Sequence, residues 1–333
     1  MVDGRSRQAH NRIVDETLRI GASACLLGAE VRFDGQHKRS AFLTGELAPF
    51  VTWVSVCPEV EVGMGVPREA VRLVRGDGDR ARMLANDSGT DWTARMNALA
   101  ARRAEDLAAQ NLDGFVLKSK SPSCGMERVK LFDAAETRAA PRREGVGLFA
   151  RALMERLPNL PVEEEGRLED PRLRENFVER VFAHARLRRL FAPRWTVGGL
   201  VAFHTAHKMQ LLAHATEGYR ALGRLVGGAR ALPREEVRER YQRDFMATLK
   251  KLATPGRHAN VLQHMLGHLT DALDEGDRRE LLGVVEDHRL GLVPLVVPVT
   301  LLRHHARRLN VATLLGQTYL EPHPKELMLR NHV

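Results

Sequence analysis

The chain has three cysteines, and each follows an apolar, strand-like run and lies in a short turn beside glycine or proline. They are Cys25, Cys57 and Cys124. Cysteines that serve only for packing are expected inside helices or strands at unrelated points, whereas three thiols in equivalent turns suggest one shared site. This repetition constrains the fold, because three such turns meet when the strands before them lie in one sheet.

Strand-like and helix-like segments alternate in the first half of the chain. The predicted strands are residues 17–20, 50–56, 70–74 and 114–118, and the predicted helices are residues 91–110 and 147–157. Such alternation is typical of an α/β fold with a Rossmann-like parallel sheet. Because ligands bind beyond the carboxyl ends of parallel strands, we expect the three cysteines to converge there.

The pattern breaks at residues 157–174, where three prolines and five acidic residues cluster. Beyond this break the periodicity predicts an all-α region and then a loose tail around Pro322 and Pro324. The predicted helices are residues 175–191, 197–226, 233–253, 258–275, 277–288 and 298–310. We therefore predict three parts, which are a catalytic domain over 1–162, a connecting segment with a helix over 163–194, and a helical domain over 195–333.

Composition indicates a soluble globular protein, with 44 % hydrophobic and 28 % charged residues. No apolar run reaches the roughly 18–20 residues of a membrane span, and the first 20 residues lack the apolar core of a signal peptide. An odd number of cysteines argues against a disulfide framework. We therefore expect a cytoplasmic protein with reduced thiols and no membrane partner.

The net charge of +9 belongs to one half of the chain. Residues 1–165 carry 24 basic and 24 acidic residues, whereas residues 166–333 carry 27 and 18. This division predicts a catalytic half and a half that binds a polyanion. A general arginine bias is the alternative explanation.

Three interpretations of the cysteines remain open at this point. Three thiolates at strand ends suit a [4Fe-4S] cluster with one open iron, since such clusters usually take four protein ligands. A zinc ion completed by histidine or water would also use them. Unconnected thiols are the third interpretation.

Polar neighbours of the cysteines are candidates for catalysis. Glu59 and Ser121 lie close to Cys57 and Cys124 in sequence, and Asp34 follows the first cysteine turn. A carboxylate and a hydroxyl near an open iron would position water and move protons. Turn formation or helix capping would explain the same residues without catalysis.

Three further residues are candidates for contact with the substrate. Ser23 precedes the first cysteine, and Arg68 and Lys118 lie near the second and third. The two cations would bind a phosphate or a polarised carbonyl, although structural ion pairs would use them equally well.

The motifs CLLGAEVRFDG, CPEVEVGMGVPRE and LKSKSPSCG occur in order over about residues 15–160, and here the chain resembles the TudS-type thiouracil desulfurase family. The resemblance implies a cluster bound by Cys25, Cys57 and Cys124, with the sulfur of a thiolated pyrimidine on the unique iron. It also implies that water replaces sulfur without net redox change, that hydrogen sulfide leaves, and that Ser121 supports catalysis.

The second half resembles the YbgA-type helical domain in the segments LVAFHTAHKMQLLAH, ANVLQHMLGH and YLEP. Proteins that join both domains resemble the long-form desulfidases of 4-thiouridine in tRNA. Basic residues at a predicted helix–helix turn and along one helix face are candidates for phosphate contacts. They are Lys250, Lys251, Arg257, Arg303, Arg307 and Arg308. An aromatic content of only 5 % favours recognition of folded RNA over stacking on single strands.

The sequence thus predicts an iron–sulfur desulfidase that converts thiolated uridine in tRNA to uridine. A desulfurase of free thiouracil or thiouridine monophosphate is the alternative enzyme, with the basic domain used for oligomerisation. A non-catalytic RNA-binding protein whose cluster senses redox state is the alternative from another class.

Overall fold

Four parallel strands form the central sheet of the first half of the chain. The structure is a computed structural model, and it describes residues 18–76, 81–133 and 140–333. Their spatial order is β2 (Val51–Val56), β1 (Leu18–Ser23), β5 (Gly114–Leu117) and β8 (Val162–Glu164). All three pairings are parallel. The predicted fold class, a parallel α/β sheet followed by an all-α region, is confirmed.

Three of these strands were predicted with bounds within a few residues of the observed ones. Thr17, the predicted start of the first strand, lies outside the described residues. The fourth, β8, was missed because two of its three residues are glutamates. Glu163 and Glu164 are nevertheless buried, and Glu164 accepts a hydrogen bond of 2.7 Å from the Met126 backbone N–H. A long-range contact with the third cysteine loop thus compensates for burial of an acid.

A second, mixed sheet lies in the same unit. Its order is β4 (Ala81–Ala85), β3 (Val71–Arg75), β6 (Val129–Phe132) and β7 (Arg142–Gly145). Only β3 and β6 pair in parallel. The candidate strand at residues 70–74 therefore exists, but it does not belong to the parallel sheet.

Helices cover the parallel sheet through an apolar core. They are α1 (Pro58–Glu61), α2 (Thr93–Ala108) and α3 (Leu148–Arg156). Phe115 of β5 and Phe149 of α3 are fully buried, with ring centroids 5.9 Å apart. Burying a side chain of this size contributes about 2–3 kcal/mol.

The described chain divides into two compact units between Glu169 and Asp170. The second unit is helical throughout, and its helices are α4 (Pro171–Leu190), α5 (Val197–His214), α6 (Thr216–Gly227), α7 (Arg234–Lys250), α8 (Pro255–Gly267), α9 (Glu275–Arg289), α10 (Val296–Arg308) and α11 (Ala312–Leu315). No helix among the described residues is long and apolar enough to cross a membrane.

Two predicted helices of this unit have different bounds in the structure. The predicted helix 197–226 is broken at Ala215, whose backbone is extended. This break lets Gly218 pack against Thr248, so closely that a Cβ at Gly218 would lie 2.2 Å from the threonine hydroxyl. The predicted helix 258–275 ends at Gly267, and the next helix begins after Asp274, whose side chain accepts the Asp277 N–H as an N-cap.

The expectation of a loose tail is wrong, since Tyr319 is fully buried and Leu327 nearly so. Arg330, 6 % exposed, pairs with Glu175 of α4 and donates to the Tyr319 carbonyl at 2.7 Å. A buried charge pair and aromatic packing thus hold the tail, and neither could be recognised from the proline-containing local sequence.

Candidate active site

The three cysteines lie beyond the carboxyl ends of three adjacent parallel strands, as the sequence predicted. Cys25 occupies a helical turn that begins directly after β1. Cys57 follows β2 and precedes α1, and its N–H donates to the Glu61 carboxylate at 3.2 Å. Cys124 lies in the loop after β5. All three line one cavity of about 350 Å³.

Close backbone packing fixes the third cysteine turn. The Ser121 hydroxyl oxygen accepts the N–H groups of Ser123 and Cys124 at 3.2 and 3.1 Å. A Cβ at Gly125 would lie 2.8 Å from the Ser121 carbonyl oxygen. A Cβ at Gly147 would lie 2.4 Å from the Ser123 carbonyl oxygen. Only glycine fits at these two contacts. Because Gly147 immediately precedes α3, the start of this helix packs directly against the turn.

Cys25 and Cys124 are buried and Cys57 is half-buried, and nearby cations offset only part of the effect of burial on their pKa values. Burial raises the pKa of Cys25 to about 11, although the charge of Lys118 opposes this rise. Burial also raises the pKa of Cys57, and raises that of Cys124 well above its usual value. The Cys25 and Cys57 charges raise the pKa of Cys124 further. Such thiols become thiolates when a metal cation binds them.

The donor set of the cavity consists of three thiols, which fits an iron–sulfur cluster. In the described part of the chain, no three His, Cys, Asp or Glu side chains are placed to hold one metal ion. The thiols instead surround a wide cavity. Thiolates are the ligands that hold iron–sulfur clusters in proteins, so the three cysteines at this cavity fit such a cluster.

Glu59 lines the same cavity and is firmly oriented. Its Oε2 pairs with the Arg68 guanidinium, which also donates to the carbonyls of Val31 and Gly65 at 2.9 and 3.0 Å. The Ser123 hydroxyl donates to Glu59 Oε1 at 2.7 Å. Arg68 is only 5 % exposed, so it positions Glu59 and is not free for the substrate.

The candidate serine also faces this carboxylate. The Ser121 hydroxyl lies 3.4 Å from Glu59 Oε1 and donates towards it, while its oxygen accepts the two loop N–H groups. Both Ser121 and Glu59 line the cavity with the thiols. The structure thus brings a hydroxyl, a carboxylate and three thiols to one place.

Lys118 and Ser23 connect the cavity to the end of the sheet. Lys118 forms an ion pair with Glu165 just beyond β8, and its backbone N–H donates to the Ser23 hydroxyl at 2.9 Å. A hydrogen bond with Ser23 lowers the pKa of Cys124 against the effect of burial. Ser23 therefore contacts a thiol, whereas Lys118 remains at the cavity wall.

Asp34 is outside this constellation. Its carboxylate accepts the Gln36 N–H at 3.1 Å and pairs with Arg32, which is the arrangement of an Asx turn. Asp34 is not among the residues that line the cavity.

The sequence did not identify several residues of the site. Ser123 donates a hydrogen bond to Glu59, and Glu165 forms an ion pair with Lys118. Three further residues lie at the rim of the cavity, and they are Phe33, Lys38 and Lys120. Ser123 stands beside a cysteine, which was an available signal. Phe33 is 43 % exposed, and an exposed aromatic side chain cannot be distinguished from a buried one by sequence alone.

The candidate RNA contacts of the helical unit have different surroundings. Lys250 and Lys251 are exposed at the turn between α7 and α8. Arg257 donates to the His214 carbonyl at 2.8 Å. Arg303 pairs with Glu321, and Arg308 pairs with Asp277. Arg307 is exposed. The predicted arginine stripe is thus partly neutralised within the unit.

Comparisons with known proteins divide the chain in the same way. The family described as 2-thiouracil desulfurase matches residues 20–165, and DUF1722, described as a protein of unknown function, matches residues 208–324. The uncharacterised protein YbgA of Escherichia coli strain K12 is 31 % identical over 46 % of this chain and 90 % of its own length. The uncharacterised protein YbbK of Bacillus subtilis strain 168 is 32 % identical over 32 % of this chain and 72 % of its own.

A solved structure, the [4Fe-4S]-dependent thiouracil desulfidase TudS, has 29 % identity, with coverage of 46 % of this chain and 95 % of that chain. Its TM-score is 0.38.

Proposed function

Since the chain belongs to the 2-thiouracil desulfurase family through residues 20–165 and to the YbgA-like DUF1722 family through residues 208–324, we propose that it is an iron–sulfur desulfidase of thiolated uridine. The observation that carries this proposal is the single cavity lined by Cys25, Cys57 and Cys124. The reaction replaces sulfur by oxygen on the pyrimidine ring. It takes place in the cytoplasm, where thiols stay reduced.

The three thiolates would hold a [4Fe-4S] cluster. When bound, such a cluster supplies an iron site that binds the thiocarbonyl sulfur and polarises its bond to carbon. The buried thiols are suited to this role because their raised pKa values leave them neutral without a metal cation.

Glu59 and Ser121 carry the proton transfers in this proposal. Glu59 takes a proton from the water that attacks the ring carbon, because Arg68 and Ser123 hold its carboxylate at the cavity. Ser121, which is hydrogen-bonded to Glu59, relays this proton to the departing sulfur, and the second proton of the water reaches the sulfur by the same route when the carbon–oxygen double bond forms. A carbon–oxygen double bond forms, the carbon–sulfur bond breaks, and one water yields hydrogen sulfide without electron transfer. Asp34, outside the cavity, takes no part.

The substrate is 4-thiouridine in tRNA, and the basic helical unit docks the RNA. The net charge of residues 166–333 supports this assignment. Free thiouridine monophosphate is the second candidate, because the rim lysines Lys38 and Lys120 have no ion-pair partner within the described residues. Ser23 and Lys118 would then contact the bound base from the cavity wall.

The test is anaerobic reconstitution with iron and sulfide, followed by incubation with thiolated tRNA, thiouridine monophosphate or thiouracil. We expect brown protein with absorbance near about 400 nm and release of sulfide, fastest from tRNA. Cys124→Ser should lose the absorbance and the activity while its tRNA affinity stays unchanged.

Protein that binds the cluster but releases no sulfide from any of the three substrates would refute a desulfidase. If its RNA affinity also changed on oxidation, the redox-sensing RNA-binding alternative would take its place. Equal rates on tRNA and on free nucleotide would refute RNA docking.

A further inference from the structure

A cavity in the helical unit lies outside the site described above. Its volume is about 440 Å³, and it is formed by the C-terminal half of α10 and by residues 310–321. Asn310, with φ of 52°, adopts the left-handed conformation that ends α10 and reverses the chain. This reversal brings the segment after the helix back against it, so that both sides of the cavity belong to one local structure.

Two guanidinium groups share this cavity. Arg303 and Arg307 are four residues apart on α10 and therefore lie on the same helix face. Burial and the charge of Arg307 lower the pKa of Arg303. Glu321 pairs with Arg303, whereas Arg307 has no ion-pair partner in the described part of the chain. Two cations face one carboxylate, which leaves a place for an anion.

One residue that lines this cavity has a buried acceptor without a hydrogen-bond partner. Gln317 is 3 % exposed and lines the cavity. Its Nε2 donates to the carbonyls of Thr205 and Thr313 at 3.0 and 3.3 Å, which fixes the orientation of the amide. Its Oε1 is buried and has no hydrogen-bond partner. Buried acceptors are normally satisfied, so this one lacks a donor that a ligand would bring.

We propose that this cavity binds one nucleotide of the RNA substrate. Arg307 and Arg303 bind the backbone phosphate, and Gln317 Oε1 accepts a hydrogen bond from the ribose 2′-hydroxyl. The inference rests on the RNA-docking part of the proposed function and identifies the nucleotide contact. A phosphate oxygen matches the guanidinium fork, and the 2′-hydroxyl is the group by which proteins distinguish RNA from DNA.

Glu321 competes with the phosphate for Arg303. In the free protein it neutralises one of the two guanidinium groups, and the phosphate replaces it on binding. Removal of this carboxylate should therefore strengthen RNA binding, which a purely structural ion pair would not predict.

The test measures the affinity of the full chain for tRNA across a salt series. Arg307→Ala should weaken binding by about tenfold or more and reduce the slope of log K against log salt by about one. Arg308→Ala is the matched control, because Arg308 pairs with Asp277 and does not line the cavity. It should change affinity by no more than about twofold.

Two further measurements test the other contacts. Glu321→Gln should tighten tRNA binding. RNA and DNA hairpins of the same sequence should differ in affinity for the wild type, and Gln317→Leu should remove that difference. Equal weakening by Arg307→Ala and Arg308→Ala, or no weakening by either, would overturn the phosphate contact. An RNA preference retained in Gln317→Leu would overturn the 2′-hydroxyl contact.

Desulfidation of thiouridine monophosphate separates this inference from the proposed function. All four variants should retain the wild-type rate on the free nucleotide. Absence of sulfide release by the wild type from tRNA, thiouridine monophosphate and thiouracil alike would refute the desulfidase and leave the RNA-binding measurements interpretable.

Discussion

The two units bury ionisable groups in opposite ways. In the α/β unit, burial raises the pKa of all three thiols, and the nearby charges of Lys118 and Arg68 offset this rise only in part. In the helical unit, burial raises the pKa of Glu175 and Glu179, but partners lower both below their usual values. His332 and Arg330 act on Glu175, and His214 acts on Glu179.

The difference indicates which buried groups are structural. A network whose charges are paired within the protein is complete without a ligand, as in the helical unit, where the pKa of His214 is raised by Glu179 despite burial. Groups around a cavity whose pKa values stay shifted by burial, such as the three thiols, are a mark of function. The following four variants test this distinction, in order of expected effect.

Glu59→Gln should lower kcat by roughly 10²–10⁴-fold, since the amide cannot take the proton from water. The cluster absorbance should remain, because the three thiols are untouched. Steady-state sulfide release measures the effect, and Asp34→Asn is the matched control expected to retain wild-type kcat. Comparable losses in both variants would show that Glu59 has no special role as a base.

Glu179→Gln should destabilise the helical unit by about 3 kcal/mol, because breaking a buried ion pair leaves an uncompensated partner. Calorimetry of the full chain measures the change. Glu236→Gln is the control, since Glu236 pairs with Arg240 on the surface and such pairs contribute about 0.5 kcal/mol or less. If both variants lost equally little free energy of unfolding, the buried network would not stabilise the helical unit.

His258 supplies a pH test of the same network. Burial and then the charge of Arg330 lower its pKa from 6.5 to about 3. The unfolded chain therefore binds one more proton below pH 6.5, and the stability contributed by the neutral imidazole is lost as pH falls. Between pH 5.5 and 4, the unfolding free energy of the wild type should fall faster than that of His258→Gln by about 1.4 kcal/mol per pH unit. Parallel pH profiles would contradict the burial of a neutral imidazole.

Lys120→Ala should have the smallest effect. It removes one exposed cation from the cavity rim, and such contacts change binding by roughly two- to fivefold. We expect a rise in KM for thiouridine monophosphate and no change for thiouracil, which has no phosphate. An equal rise for both substrates would indicate a general change in the cavity.

Local sequence signals were sufficient for the convergence of the cysteines. An apolar run followed by a Gly or Pro turn predicts a strand end, and parallel sheets gather such ends at one edge. Glu59 and Ser121 line the cavity because they are only two and three residues from Cys57 and Cys124 in the sequence. Asp34 is nine residues from Cys25 in the sequence, and its side chain is held in its own Asx turn.

Long-range contacts decided the features that sequence could not predict. The strand β8 contains glutamates that only a partner in another loop makes acceptable in the core. The break at Ala215 depends on the packing of Gly218 against Thr248. Neither contact leaves a periodic pattern, because the partners are more than 25 residues apart along the chain.

The placement of the thiols on three strands has a consequence for the order of assembly. Cys25, Cys57 and Cys124 follow β1, β2 and β5, so the site is incomplete until β5 has paired with β1. A chain whose synthesis has stopped before residue 124 holds at most two of the thiols. In the proposed function, a cluster held by all three thiols therefore forms only after β5 has paired with β1, so its insertion is a late step of folding.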